Sequence, residues 1–147
     1  MRLFTVGFTQ TTAETFFGKL RDAGIVRVLD TRIHRDGQLS GFAKVPDLPY
    51  FLAQLTDSAY QASPSLAPTA AMLKSYRERL LSWEQYAEAY RRLLHERKPE
   101  QGLTPAELDR ACLLCSELAP STCHRRLAAE YLQDAFRDCA ELEVVHL

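Results

Sequence analysis

"LFTVGFTQTTAETFFGKLRDAGIVRVLD", residues 3–30, decides the fold class, because its hydrophobic period changes twice. LFTVGF at 3–8 is short, apolar and β-favouring, the pattern of a buried strand. In TTAETFFGKLRDAG the apolar residues Ala13, Phe16, Phe17, Leu20 and Ala23 fall on one helical face. Thr11 and Glu14 have capping-box spacing, so Thr11 is the expected cap. Gly24 stands where a helix usually stops. IVRVLD at 25–30 is a second strand. Strand, helix and strand within about 30 residues make a βαβ unit. Its two strands are expected to be parallel, with a right-handed crossover.

Residues 33–68 lose this regularity, and four of the seven prolines lie there, at 46, 49, 64 and 68. Gly37 and Gly41 add flexibility, and a short helix over 48–55, LPYFLAQL, interrupts the segment. Long irregular segments in compact domains are usually functional or disordered. Phe42, Tyr50, Phe51 and Leu52 give this one material to pack, which favours an active-site excursion over a linker. Helical periodicity returns in TAAMLKSYRERLL and SWEQYAEAYRRLLHERK, the second opened by a Ser82/Gln85 capping pair. Trp83, Tyr86 and Tyr90 read there as helix-packing core. TPAEL at 104–108 has Thr as cap, Pro at the first helical position and Glu at the third. ACLLCSE reads as a third strand, STCHRRLAAEYLQDAF as a helix beginning near Ser121 or Thr122, and LEVVHL as a last strand. No internal repeat or low-complexity segment is visible.

The chain's 147 residues suit one globular domain over 1–147. Apolar residues make up 46% and charged residues 25%, ordinary values for a soluble fold. The formal net charge of -1 supplies no global field toward nucleic acid or membrane. No apolar run approaches the roughly 20 residues of a membrane helix. MRLFTVGF lacks the long apolar stretch of a signal peptide, so the expectation is a cytoplasmic protein with no membrane partner. Cys112, Cys115, Cys123 and Cys139 are then expected as reduced thiols, bunched in the last quarter of the chain.

Each of three strands ends in a polar cluster. Gly7, Phe8 and Thr9 follow the first, Asp30, Thr31 and Arg32 the second, and Glu117 the third, ahead of Cys123-His124-Arg125. In open parallel sheets ligands bind beyond the carboxyl ends of the strands, so these clusters are expected to converge there. Two arginines in the first turn of a helix oppose its dipole; an anion held at that end would explain them. The expected binding residues are therefore Gly7, Thr9, Arg32, Thr122, His124 and Arg125. The competing explanation pairs these arginines with acidic residues elsewhere. Glu117 and Asp30 are the candidate acid–base pair, although Asp30 could instead lock an arginine. Cys123, at an electropositive helix start, is a candidate nucleophile, with a small buried packing cysteine as the alternative. Cys112, Cys115, Cys123 and His124 superficially supply a Cys₃His zinc set. Cys112 and Cys115 are expected on opposite strand faces, and neighbouring Cys123 and His124 are poorly placed to share one ion. No metal and no cofactor is therefore expected.

TVGFT at 5–9, VLDTR at 28–32, LAPT followed by its Trp and Tyr pattern, LLCSELAPSTCHRRLAAEYL at 113–132 and the closing VVHL together resemble the bacterial and archaeal family called "domain of unknown function 488". The most specific mark is Cys-x-Glu, then Pro, then Cys-His-Arg, here Cys115, Glu117, Pro120, Cys123, His124 and Arg125. Phe8 and Thr9 depart from the family's His and Ser. The resemblance implies a Rossmann-like fold and supplies no reaction. It agrees with the class read from the residues: a three-layer α/β domain whose mainly parallel sheet has about four to five strands flanked by helices. Three functions stay open. One is a hydrolase or transferase acting on a phosphorylated, nucleotide-like or nucleic-acid substrate. The second is a non-catalytic module binding nucleotide or nucleic acid in the same pocket. The third is thiol chemistry or redox sensing through Cys123. A small phosphorylated molecule ranks level with a polynucleotide as partner, and the 70–95 helices leave room for a dimer face.

Overall fold

A computed structural model of the chain describes residues 1–37 and 40–147, so the part of the expected excursion at 38–39 lies outside the described residues. Five strands, β1 (Arg2–Val6), β2 (Arg27–Asp30), β3 (Ala59–Ala62), β4 (Ala111–Leu114) and β5 (Glu143–His146), form one sheet in the order β3-β2-β4-β1-β5. All four pairings are parallel; Leu3 lies opposite both Ala111 and Val144, and Arg27 opposite both Ala111 and Ala59. The expected parallel direction of β1 and β2 holds, and β4 inserts between them.

Side-chain alternation sorts the interior into two cores. Leu3, Leu29, Ala111 and Leu113 face the layer of α4 (Trp83–Arg97) and α6 (His124–Ala135). Phe4, Val6, Val28, Cys112 and Leu114 face α1 (Ala13–Asp22) and α2 (Asp47–Thr56). This is a three-layer α/β architecture with a wholly parallel sheet. Strands buried on both faces explain why LFTV and ACLL read as unbroken apolar runs. Two further helices, α3 (Ala70–Arg77) and the short α5 (Pro105–Leu108), complete the β3–β4 crossover with α4. The helix read at 48–55 is α2, and the capping boxes of Ser82 with Gln85 and of Thr104 with Glu107 both form.

The structure corrects three boundaries and adds one strand. Thr12, not Thr11, caps α1: its hydroxyl accepts from the Thr15 amide at 3.2 Å. Helix α6 begins at His124, with Cys123 as an extended cap, rather than at Ser121 or Thr122. Strand β4 stops at Leu114, so Cys115, Ser116 and Glu117 leave the sheet as loop. The added strand, β3, is an edge strand whose residues alternate between exposed and half-buried, which leaves no apolar run to read. Among the described residues no helix is long and apolar enough to cross a membrane.

The capping correction has a measurable consequence. In urea titrations Thr12→Ala lowers stability by about 1 kcal/mol, the usual cost of a lost N-cap, whereas Thr11→Ala leaves it within a few tenths.

Candidate functional site

Parity in the strands decides what reaches their carboxyl ends. Thr5, Thr31 and Cys115 continue the series that faces α6, while Phe8, Asp30 and Arg32 continue the opposite one. Between them lies a hollow of about 150 Å³, lined by Phe8, Arg32 and His34 on one side and by Tyr76, Arg77 and Tyr86 on another. Cys115, Cys123 and His124 also line it, with Glu117 and Thr122 beside them on the β4–α6 loop.

Asp30 and Arg32 form a buried fork. Arg32 donates from Nε to Oδ1 at 2.9 Å and from Nη2 to Oδ2 at 2.8 Å, and Nη2 also donates to the Ala43 carbonyl. Tyr60 donates its hydroxyl to Asp30 Oδ2 at 2.7 Å; burial and this carboxylate hold the phenol well above its ordinary pKa. The guanidinium carbon lies 5.1 Å from the centroid of Phe8, so the ring supports it from one side. Asp30 therefore orients Arg32 and does not itself line the hollow, the locking role weighed in the sequence reading.

Arg125 corrects the anion-site expectation. It is fully buried and does not line the hollow. Its Nη1 donates to the Glu117 carbonyl, its Nη2 to the Leu118 carbonyl at 2.9 Å, and its Nε to the Thr5 hydroxyl at 3.4 Å. These bonds consume the guanidinium inside the fold. Arg126 pairs with Glu130 one turn along α6, at 3.5 Å. Gly7 and Thr9 belong to the same assembly. Thr9 donates its amide and hydroxyl to the Ser116 carbonyl, at 3.1 and 2.8 Å. A Cβ on Gly7 would stand 1.7 Å from the Glu117 carbonyl oxygen, so only glycine admits the loop there. These three residues carry the site rather than face it.

On the floor, His124 Nδ1 lies 3.7 Å from Cys115 Sγ. His124 Nε2 lies 3.1 Å from the Thr31 carbonyl and 3.0 Å from its hydroxyl. A hydrogen bond from the Cys123 thiol, together with His124 and the Glu117 amide, holds the Cys115 thiol well below its usual range despite burial. The same bond and burial push Cys123 up. Burial works against a charged His124, but Cys115 outweighs it and raises the imidazole. Of the two neighbouring sulfurs, Cys115 is the one favoured toward the anionic form, and Cys123, the thiol expected from the helix start, is favoured toward the neutral form.

The metal objection is half right. Cys112 points into the opposite core, as alternation requires. Cys115, Cys123 and His124 nevertheless bring their ligand atoms within 4.8 Å of one another. Neighbouring residues converge because Cys123 is extended, at φ -126 and ψ 138, while His124 already belongs to the helix. Their side chains leave the backbone in different directions and meet over Cys115.

Tyr76 and Arg77 line the hollow and were passed over by the motif reading, which held Cys115 only as part of the Cys-x-Glu mark and the Cys₃His set. Leu73, Tyr76 and Arg77 stand at i, i+3 and i+4 on α3 and all line the hollow, so helical spacing was their available signal. The tyrosines stack inward: Tyr76 on Tyr86 at 4.8 Å, Tyr86 on Tyr90 at 6.4 Å, and Tyr90 edge-on to His124 at 5.5 Å.

Residues 12–132 match the family described as "Domain of unknown function DUF488", and the chain belongs to it. No curated protein and no solved structure matches the chain.

Gly7→Ala tests the loop seat. The added methyl meets backbone, which cannot swing aside, so stability falls by about 1–3 kcal/mol in urea titration, the range of an overpacked core. Gly18→Ala serves as control, since its nearest neighbour outside its own helix backbone is a side-chain atom at 4.0 Å.

Proposed function

We propose that this member of the DUF488 family is a hydrolase or transferase for a small anionic, nucleotide-like substrate, bound at the carboxyl edge of its sheet. One observation carries the reading: a single hollow is lined by two arginines, three aromatic rings, a carboxylate and the Cys115–Cys123–His124 group. Arginine beside aromatic surface suits a planar ligand that carries a phosphate or carboxylate. A volume of about 150 Å³ is below the roughly 300–1,000 Å³ of pockets that enclose whole drug-sized ligands. It fits one ring or one anionic group, which favours a small molecule over a polynucleotide tract.

The roles divide by position. Arg32, pre-oriented by Asp30, and Arg77, exposed on α3, hold the anion. The rings of Phe8, Tyr76 and Tyr86 receive the flat part of the substrate. Glu117 is exposed at the hollow and is the group placed to exchange a proton with solvent-delivered water. The reacting centre then lies against Cys115 and His124.

Calorimetric titration with inorganic phosphate and nucleoside monophosphates, each followed by incubation and product analysis, tests the reading. Arg77→Ala is expected to weaken binding about 10- to 100-fold, the worth of a hydrogen bond to a charged group, without changing the melting temperature. Glu117→Gln is expected to retain affinity and to lose turnover by about 10²–10⁴-fold. Equal affinity of wild type and Arg77→Ala for every anion would remove the reading. Binding confined to oligonucleotides, with steep salt dependence, would replace it with a nucleic-acid partner.

A further inference from the structure

We propose that Cys115, Cys123 and His124 are the protein ligands of one thiophilic divalent cation of the zinc class, with a fourth coordination position open to the hollow. Geometry supports this first. Metal–sulfur bonds of about 2.3 Å and metal–nitrogen bonds of about 2.0–2.1 Å place tetrahedral ligand atoms roughly 3.5–3.8 Å apart. Here the three ligand atoms already lie within 4.8 Å of one another, with Cys115 Sγ and His124 Nδ1 at 3.7 Å. Closing on an ion requires movements of about 1 Å at most, within side-chain reach.

The imidazole supplies an independent argument. The Thr31 carbonyl can only accept, so the 3.1 Å contact requires hydrogen on Nε2. Nδ1 is then the nitrogen turned toward Cys115 Sγ. A ring whose far N–H is fixed by a backbone carbonyl is the usual support of a metal-bound histidine. Tyr90, edge-on to the same ring, fixes it from another side. Two thiolates and one imidazole select zinc-like ions over magnesium or calcium, which take oxygen ligands. Charge agrees as well, because two thiolates and a divalent cation sum to zero, and a neutral unit is the one that burial tolerates.

Three protein ligands with an open fourth position make a site for bound water rather than a closed structural site. All three line the hollow that Glu117 also lines. The consequence deepens the reading above and rests on it for the identity of the substrate. The bound water loses a proton to Glu117, its oxygen bonds to the electrophilic carbon or phosphorus of the anion, and the leaving group departs with that proton. Water is consumed, no electron is transferred, and hydrolysis becomes the class of reaction.

The test uses the full chain, reduced, stripped with chelator and titrated with Co²⁺ and separately with Zn²⁺. The expected result is one equivalent bound, with a thiolate-to-cobalt charge-transfer band and tetrahedral d–d bands. Cys115→Ser and Cys123→Ser each weaken cobalt binding at least about tenfold, by comparison with the losses known for outer-shell partners alone, while Cys139→Ser binds as wild type. Should the cysteine variants not fold, wild type alone decides. Zn²⁺ is expected to protect Cys115 and Cys123, but not Cys139, from iodoacetamide in peptide mapping. Substoichiometric uptake, a cobalt spectrum without the charge-transfer band, or alkylation of Cys115 at an unchanged rate overturns the site. Arg77→Ala changes anion affinity and not the cobalt spectrum, so failure of the metal site and failure of the anion-binding reading are told apart.

Discussion

The whole carboxyl edge depends on one buried guanidinium. Arg125 takes the carbonyls of Glu117 and Leu118 and the hydroxyl of Thr5, which ties the β4–α6 loop to the end of β1. Without it, loop carbonyls that point into the protein would lack donors, and each orphaned group costs about 1–3 kcal/mol. The arrangement is reciprocal. A buried cation is unfavourable unless paired or richly bonded, and no carboxylate lies within ion-pair distance of Arg125 among the described residues. Its charge is met by the carbonyl dipoles of Glu117 and Leu118. Arg125 in turn favours the anionic forms of Cys112 and Cys123 against the penalty of burial. Loop geometry and site electrostatics are therefore one constraint. Glycine at position 7 is its steric half, because any side chain there would occupy the seat of the Glu117 carbonyl.

Sheet parity turns that constraint into chemistry. Two cysteines three residues apart cannot share a strand face, and Cys112 duly becomes core while Cys115, past the end of β4, turns toward α6. Thr31 has the same parity on β2 and offers its carbonyl and hydroxyl to His124. A parallel sheet presents all its carboxyl ends on one side, so residues more than 80 positions apart in sequence meet there without a dedicated scaffold. On the opposite parity Asp30 and Arg32 lock each other, with Phe8 beneath, and the hollow opens between the two groups.

The sequence spoke most clearly where burial was two-sided. The apolar runs at 3–6 and 111–114, the Phe16–Phe17–Leu20 face and the Ser82 and Thr104 boxes were all legible, because each follows from local periodicity or a local hydrogen bond. Strand β3 was not, since an exposed edge strand needs no apolar run. Thr11 and Thr12 compete for one cap, and a single step of backbone decides between them. At the site, convergence of the strand ends was legible from topology, and Arg32, Glu117, Thr122, Cys123 and His124 do meet at one hollow. The destination of each charge was not. Arg125 looked like an anion ligand because two arginines oppose a helix dipole, but carbonyl oxygens of a loop eight residues upstream satisfy it, and such partners leave no trace in residue type. The balance between the two thiols was hidden for a similar reason: Cys115 is favoured toward the anionic form by its neighbours Cys123 and His124, and such neighbours are set by the fold.

Phe8 narrows the chemistry further. It lines the hollow just past the end of β1 and places there a ring with no titratable group. The ring meets Phe16 at 6.5 Å and Phe42 at 6.3 Å, edge-on, and carries the Arg32 guanidinium on its other contact. Of the remaining lining residues with ionisable side chains, Arg32 and Arg77 remain protonated under ordinary conditions. Tyr86 is held protonated by burial. Glu117, Cys115, Cys123 and His124 share the β4–α6 loop and helix start that Arg125 ties to β1, whereas Tyr76 and Arg77 reach the hollow from α3.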